Sequence, residues 1–503
     1  MNRRLLLVFI LLLSLLPALY LSYIHYVDSF LYTPLASTSE GIALGGLTDV
    51  SSDQPSYVVI LYTISSICNI PPLQLGYLPI GALIYPFCIY ALTRNLLESK
   101  WIPLLLLLYF SFDFSILIGQ YSVFAYAWAH PLFFIFILLF IKYSVSETRN
   151  PQMVALLLIV FTSIVFLHPT YVFWAISFTI GLNVIIGISK ATRLTNVHLT
   201  PTPFLTIALF VIYFGFNQLY FGFYLHRVIL IEPETISEQF ITTIRNFLGF
   251  QTPVSVPYQM SGSAATSIIG YASFGRSLII VLSLLIGIFA WVRKNYHELS
   301  KKFDSSLVVI TALLIAGMMH TIGYAFYGHI SMRFMIMFFP IIAIFLIRKS
   351  DLKKSVNMII ALLLVLAFAG TISYAASNQK VNNIDIETVP YSDWLISHTE
   401  KRVVLLSDFT TSQLTKCHFS EAGRSITQRF YYSELYSMIV SGKEQITNTE
   451  FIAMNWETGS TTSVGWSAFE PVSKYYIEIS ENTHLNRIFD DGHISLLRST
   501  YFH

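Results

Sequence analysis

Runs of about twenty apolar residues recur along this chain, and a chain patterned that way has very few folds open to it. A helix needs roughly 20 mostly apolar residues to cross a bilayer, at 1.5 Å rise per residue. Runs of about that length begin near Leu5, Leu75, Trp101, Val123, Met153, Tyr171, Phe204, Ser277, Ser306, Arg333 and Val356. The expectation is an all-α membrane bundle of about 11 transmembrane helices. Basic residues test the count independently, because Lys and Arg stay on the cytoplasmic side. With the N-terminus inside, Arg3/Arg4, Arg94/Lys100, Lys142/Arg149, Lys190/Arg193, Arg293/Lys294/Lys301/Lys302 and Arg348/Lys349/Lys353/Lys354 share one side. The opposite side receives a first loop, about 22–72, with neither Lys nor Arg. The short loops at Gly119–Ser122, His168–Thr170 and Tyr327–Ser331 have none either. Only a long outer loop, about 225–276, carries Arg227, Arg245 and Arg276 there. An odd number of crossings then leaves the C-terminal segment outside.

Composition agrees. Of 503 residues 54% are hydrophobic and 12% charged, with mean hydropathy +0.63, whereas soluble domains carry about twice that charge fraction. A net charge of +2 gives no reason to propose nucleic acid as a partner. Three cysteines (Cys68, Cys88 and Cys417) cannot build a disulfide framework, and Cys68 with Cys417 is the one pairing worth testing. Met1-Asn-Arg-Arg and its apolar run read as a retained span, since Tyr23–Tyr26 offers no small-residue cleavage site. The expected location is the plasma membrane, multi-pass.

Two segments bear on the count. Tyr57–Ile70 is apolar but short and ends at Pro71-Pro72, which predicts an interfacial or re-entrant helix of the first loop. Met153–Ile188 is too long for one span, and His168-Pro169-Thr170 divides it at a tight outer turn. The transmembrane domain therefore covers 1–376. Residues 377–503 have soluble composition and predict a small extracytoplasmic α/β domain. In it Asp393–His398 ends an amphipathic helix, and Arg402-Val-Val-Leu-Leu-Ser-Asp408 is a short buried strand. Asn486–Phe489, a turn at Asp490-Asp491-Gly492 and the run after His493 make a β-hairpin.

No soluble-enzyme motif is present: no Gly-Lys-Ser/Thr phosphate loop, no His-Glu-x-x-His, no Cys-x-x-Cys and no Gly-x-Ser-x-Gly elbow. The informative feature is where polar groups fall. Ionisable residues in a span are costly and face a cavity or a partner. Asp113, His130, His168, His320 and Arg333, with Asn217 and Gln218, all fall toward the outer side. The inner halves hold almost nothing comparable, which favours a site open to the outside over a transport path through both halves. The first loop adds Asp28, Glu40, Asp49 and Asp53 with no base among them, suited to a cation or to a carboxylate acting as general base. His25 shares a helical face with Asp28 if the first span continues. The bland alternatives are solvated loop acids, a snorkelling Arg333 and hydrogen-bonded packing for His130 and His320. Asp113 resists that reading, because a carboxylate buried in lipid needs a partner.

The arrangement resembles the GT-C superfamily of membrane glycosyltransferases, and within it the archaeal members related to protein O-mannosyltransferases and aminoarabinose transferases. Several patterns carry the likeness: the long acidic loop after the first span, Gln54-Pro55-Ser56-Tyr57 through Leu73, the aromatic-rich Tyr121–Leu139 and the His168-Pro169-Thr170 turn. Arg333-Phe-Met-Ile-Met-Phe-Phe-Pro340 and the terminal Asn486–Gly492 complete it. The resemblance implies a polyprenyl-phosphate-linked sugar as donor and a glycan or protein as acceptor. It also implies that a first-loop carboxylate, Asp28 or else Asp53, activates the acceptor or binds a divalent metal ion. Arg333 and His168, with Arg276 as a third choice, would hold the lipid phosphate. The chain departs from the pattern in lacking an Asp-Glu pair after the first span and a Trp-Trp-Asp signature. Two other functions stay open: a flippase for lipid-linked saccharide, and a catalytically inactive relative that binds a partner.

Overall fold

The computed structural model describes residues 3–23, 38–39, 42, 55–75, 80–97, 99, 101–113, 125–146, 150–167, 169–192, 197–220, 264–298, 303–325, 333–350, 352–378, 384–399, 402–407, 415–416, 418–419, 422, 425–430, 451–455, 485–490 and 494–499. The described helices are α1 (Arg3–Tyr23), α2 (Pro55–Cys68), α3 (Pro72–Leu75), α4 (Ile80–Leu96), α5 (Ile102–Phe112), α6 (Ala125–Val145), α7 (Pro151–Leu167) and α8 (Pro169–Ala191). They continue with α9 (Pro203–Tyr220), α10 (Ala264–Asn295), α11 (Ser305–Ala325), α12 (Arg333–Lys349), α13 (Lys353–Asn378) and α14 (Ile384–His398). The strands are β1 (Arg402–Ser407), β2 (Ser425–Phe430), β3 (Phe451–Asn455), β4 (Leu485–Asp490) and β5 (Ile494–Ser499).

A helix lies over each of the apolar runs from which the crossings were predicted. Among the described residues four stretches are, by length and composition, long and apolar enough to cross a membrane: Trp128–Val145, Tyr171–Ala191, Phe274–Asn295 and Lys354–Ser373. Large apolar side chains line their outward faces, such as Leu285 (58% exposed) and Phe289 (67%) on α10 and Val365 (64%) on α13. Faces of that kind are stable in lipid, not in water. The break within Met153–Ile188 falls where it was expected, with α7 ending at Leu167 and Pro169 opening α8. Pro is favoured there, since the first helical N–H has no intrahelical partner.

The chain divides into two compact units. The first holds Met1–Tyr20, Pro79–Thr252 and Tyr271–Thr371, and the second Leu21–Leu78, Pro253–Gly270 and Ile372–His503. In the first unit, close approach is set by small residues. A Cβ built on Gly287 of α10 would stand 3.1 Å from Leu346 Cβ and 3.3 Å from the Ala343 carbonyl of α12. Gly181 of α8 lies against Ala312 of α11 with more room, at 3.5 Å. Asn183 of α8 fixes the start of α9, accepting the Thr202 N–H at 2.5 Å and donating to Thr206 Oγ1 at 2.9 Å.

In the second unit α2 stops at Asn69, which takes φ 51°. Asn tolerates that left-handed conformation better than most residues, and it lets the Ile70 N–H reach the Ser65 carbonyl before Pro71-Pro72. The five strands pair in the order β2-β1-β3-β5-β4. β1 runs parallel to β2 and β3, while β5 runs antiparallel to β3 and β4. The continuous apolar run Val403–Leu406 suits a strand flanked on both sides by parallel neighbours. The expected hairpin is β4–β5, with a bulge between Arg487 and Phe489; its turn, 491–493, lies outside the described residues. α14 packs on this sheet through Tyr391 and Leu395, which share a buried cluster with Leu496 of β5 and with Phe419, and the Tyr391 and Thr415 hydroxyls hydrogen-bond. Cys68 is an exposed free thiol, and Cys417, the other member of the pairing worth testing, lies outside the described residues.

Candidate functional site: a buried ion pair beside an aromatic node

α5 is short and apolar, 11 residues from Ile102 to Phe112, with Pro at its first turn. It ends at Asp113, whose ψ of 108° leaves the helix while its N–H still reaches the Tyr109 carbonyl at 2.9 Å. A helix end inside a bundle leaves carbonyls that need donors. The Thr371 hydroxyl of α13 supplies one by donating to the Phe112 carbonyl. The Phe112 and Phe368 rings stack beside it, 4.0 Å apart at 26°.

Asp113 itself is fully buried. Its partner is Arg276, whose Nη1 donates to Oδ1 at 2.6 Å and to Oδ2 at 2.8 Å. Arg276 is 4% exposed and sits well inside α10. The sequence places it at the close of the outer loop, with the helix beginning near Ser277, whereas α10 starts at Ala264. An uncompensated charge of either sign would be prohibitive here. As a pair the two are close to neutral, and the cation also offsets the negative end of the α5 dipole. The Tyr109 phenol lies within electrostatic reach of both ions.

His130 of α6 is likewise fully buried. Its ring meets Tyr85 of α4 at 4.5 Å between centroids, Phe134 at 5.0 Å and Tyr171 of α8 at 5.4 Å. Phe134 in turn stacks on Phe338 of α12 at 5.2 Å. Tyr85 links the two clusters, being in ring contact with His130 and in electrostatic reach of Asp113. Asp113, His130 and Arg276, singled out separately in the sequence, therefore belong to one buried node. Tyr85, Tyr109 and Tyr171 were not singled out, because tyrosines in apolar runs read as packing or interface residues. The only usable signal was Tyr109, one helical turn before Asp113.

The remaining candidates are placed only in part. Arg333 is the first residue of α12, and His320 falls within α11. His25, Asp28, Glu40, Asp49, Asp53 and His168 lie outside the described residues. Among the described residues no three His, Cys, Asp or Glu side chains gather as a metal cluster.

No family model matches the chain, and no curated protein matches it. Among solved structures it is similar to the archaeal oligosaccharyltransferase AglB from Archaeoglobus fulgidus, determined in complex with an inhibitory peptide and a dolichol-phosphate. The TM-score is 0.46 at 10% sequence identity, covering 91% of this chain and 70% of that one.

Proposed function

We propose that this chain is a GT-C-like membrane glycosyltransferase that moves a sugar from a polyprenyl-phosphate donor to an acceptor on the outer face. The observation that carries the reading is where its buried polar groups stand along their helices. His130 lies in the half of α6 away from Lys142, Arg276 lies in the half of α10 away from Arg293 and Lys294, and Asp113, at the end of α5, pairs with Arg276 at 2.6 Å. With those basic ends on the inner side, all three groups fall toward the outer side. A flippase needs polar lining through both halves, and the inner stretches of α5 and α6 are apolar.

In this reading the eleven helices cross the membrane with the N-terminus inside, and the acidic first loop and the C-terminal α/β domain lie outside. Asp28, with Asp53 as second choice, takes the proton of the acceptor hydroxyl. The acceptor oxygen bonds to the sugar's anomeric carbon as the bond from that carbon to the phosphate oxygen breaks. Arg333 and His168 stabilise the departing phosphate. Arg276, already engaged by Asp113, braces the outer half of the bundle and leaves phosphate binding to those two.

The test is a titration of detergent-purified full-length protein with a panel of polyprenyl-phosphate sugars. Wild type is expected to bind one of them saturably. Arg333→Ala should lose that binding, while Asp28→Asn keeps binding and loses transfer. Folded wild type that binds no donor refutes the reading in favour of a partner-binding protein. Transfer that survives both Asp28→Asn and Asp53→Asn refutes the choice of base.

A further inference from the structure

The ion pair leaves two phenols of the buried node unaccounted for. Tyr85 of α4 is 1% exposed and Tyr109 of α5 is 0% exposed, and neither hydroxyl closes a hydrogen bond with a protein group. Small hydroxyls on the same two helices return to the carbonyl one turn back, as Thr93 does to Ile89 and Ser111 to Leu107, both at 2.8 Å. A phenol oxygen stands too far from its own backbone to do the same. Nor can the Tyr85 ring swing toward a partner, because it is held between His130, Phe110 and Phe134. A buried hydroxyl that forfeits the bond it had in water is rare in native interiors.

The two oxygens converge on one place. Tyr85 is within electrostatic reach of Asp113, Tyr109 and Tyr171 at once, and the Tyr109 phenol stands beside the Asp113 carboxylate. Arg276 engages that carboxylate through Nη1, at 2.6 and 2.8 Å, and an ionised carboxylate accepts up to about four hydrogens. Polar groups inside one another's field that do not bond directly are commonly joined by a bound water. Such a water makes about three hydrogen bonds, and Tyr85, Tyr109 and Asp113 supply three partners. We propose that this corner of the bundle is a water-binding site, in which a buried water donates to the Asp113 carboxylate and joins it to the Tyr85 and Tyr109 hydroxyls. The water ties α4 into a pair otherwise confined to α5 and α10, and makes Tyr85 a positioning residue for Asp113. The inference is independent of the glycosyltransferase reading.

Two measurements on the full chain in detergent test it. X-ray radiolysis turns a bound water into a hydroxyl radical where it sits. Tyr85 and Tyr109 should therefore be oxidised in wild type despite their burial, and in oxygen-18 water they should carry the label. Phe136 and Phe140, both 0% exposed and in ring contact with each other, are the dry controls. Tyrosine labelling no faster than that of these phenylalanines would overturn the site. The second measurement is equilibrium unfolding of Tyr85→Phe, which keeps the ring and removes the oxygen. Loss of one net hydrogen bond should raise the unfolding constant roughly fivefold. A dry hydroxyl predicts the opposite sign, since deleting an unsatisfied group stabilises, so a fall in the unfolding constant would also overturn the proposal. Y85F/Y109F should lose less than the product of the two single effects, because both remove partners of one water; strictly multiplicative effects would overturn the sharing. If Tyr85→Phe does not fold, radiolysis of wild type carries the test by itself.

Discussion

Neutralising one member of the Asp113–Arg276 pair should cost far more than neutralising both. The guanidinium and carboxylate are 5% and 0% exposed and meet at 2.6 Å. Removing one partner of a buried pair leaves the other charge uncompensated, at about 3–5 kcal/mol. Replacing both with well-packed hydrophobic side chains of similar volume is often neutral, and an Asn–Gln pair that still hydrogen-bonds leaves neither an unpaired charge nor an unsatisfied amide. Asp113→Asn and Arg276→Gln should therefore each lose about 3–5 kcal/mol, while D113N/R276Q returns to within about 2 kcal/mol of wild type. The cycle would then show a coupling of several kcal/mol. Equilibrium unfolding of detergent-purified protein in mixed micelles, followed by tryptophan fluorescence, measures all four species under one condition. Single losses below about 1 kcal/mol, the range of exposed pairs, would refute the buried pairing. So would a double variant whose loss equals the sum of the singles.

Three further outcomes can be measured alongside. Gly287→Ala should destabilise by about 1–3 kcal/mol through overpacking against Leu346 and Ala343, whereas Gly187→Ala, with nothing within 4 Å, should be neutral or better; equal effects would refute the tight α10–α12 approach. Asn183→Leu removes the acceptor of the Thr202 N–H and the donor to Thr206, and should cost about 1–3 kcal/mol in the same unfolding assay; no loss would refute its role at the start of α9. In a C88S/C417S background the exposed Cys68 should react in intact cells with a membrane-impermeant maleimide, and Cys88 in C68S/C417S should not. Labelling of Cys68 only after permeabilisation would reverse the proposed topology.

What could be read in advance follows from how local each signal is. Apolar run length and the Pro169 break are properties of a few neighbouring residues, and helices appear over every run. The β4–β5 hairpin was legible for the same reason, since Asp-Gly between two apolar stretches specifies its own pairing. The beginning of α10 was not. Ala264–Arg276 mixes Ala, Ser, Thr and Gly with one charge, so its hydropathy resembles that of a loop. The charge that disguises it is cancelled by a carboxylate 163 residues away in sequence. A window moving along the chain cannot register a cancellation made across the bundle. The order β2-β1-β3-β5-β4 was hidden likewise, because β2 and β3 carry no turn signal tying them to β1.

The same cancellation redistributes the chemistry among the cations. In the sequence Arg333 and His168 are the leading candidates for a lipid phosphate, with Arg276 a third choice. A guanidinium that already donates to both oxygens of a buried carboxylate has little net charge to offer a second anion. Exchanging partners would strand Asp113 in lipid at about the cost of breaking the pair. A donor phosphate would have to repay that cost before gaining any affinity from Arg276. In the proposed site Arg333, the first residue of α12, holds the phosphate instead. Removing Arg333 should therefore act on donor binding with little change in stability. Removing Arg276 should act on stability first, and the double replacement D113N/R276Q should restore folding while leaving donor affinity near the wild-type value. Donor affinity that fell with D113N/R276Q as far as with Arg333→Ala would return Arg276 to the phosphate site.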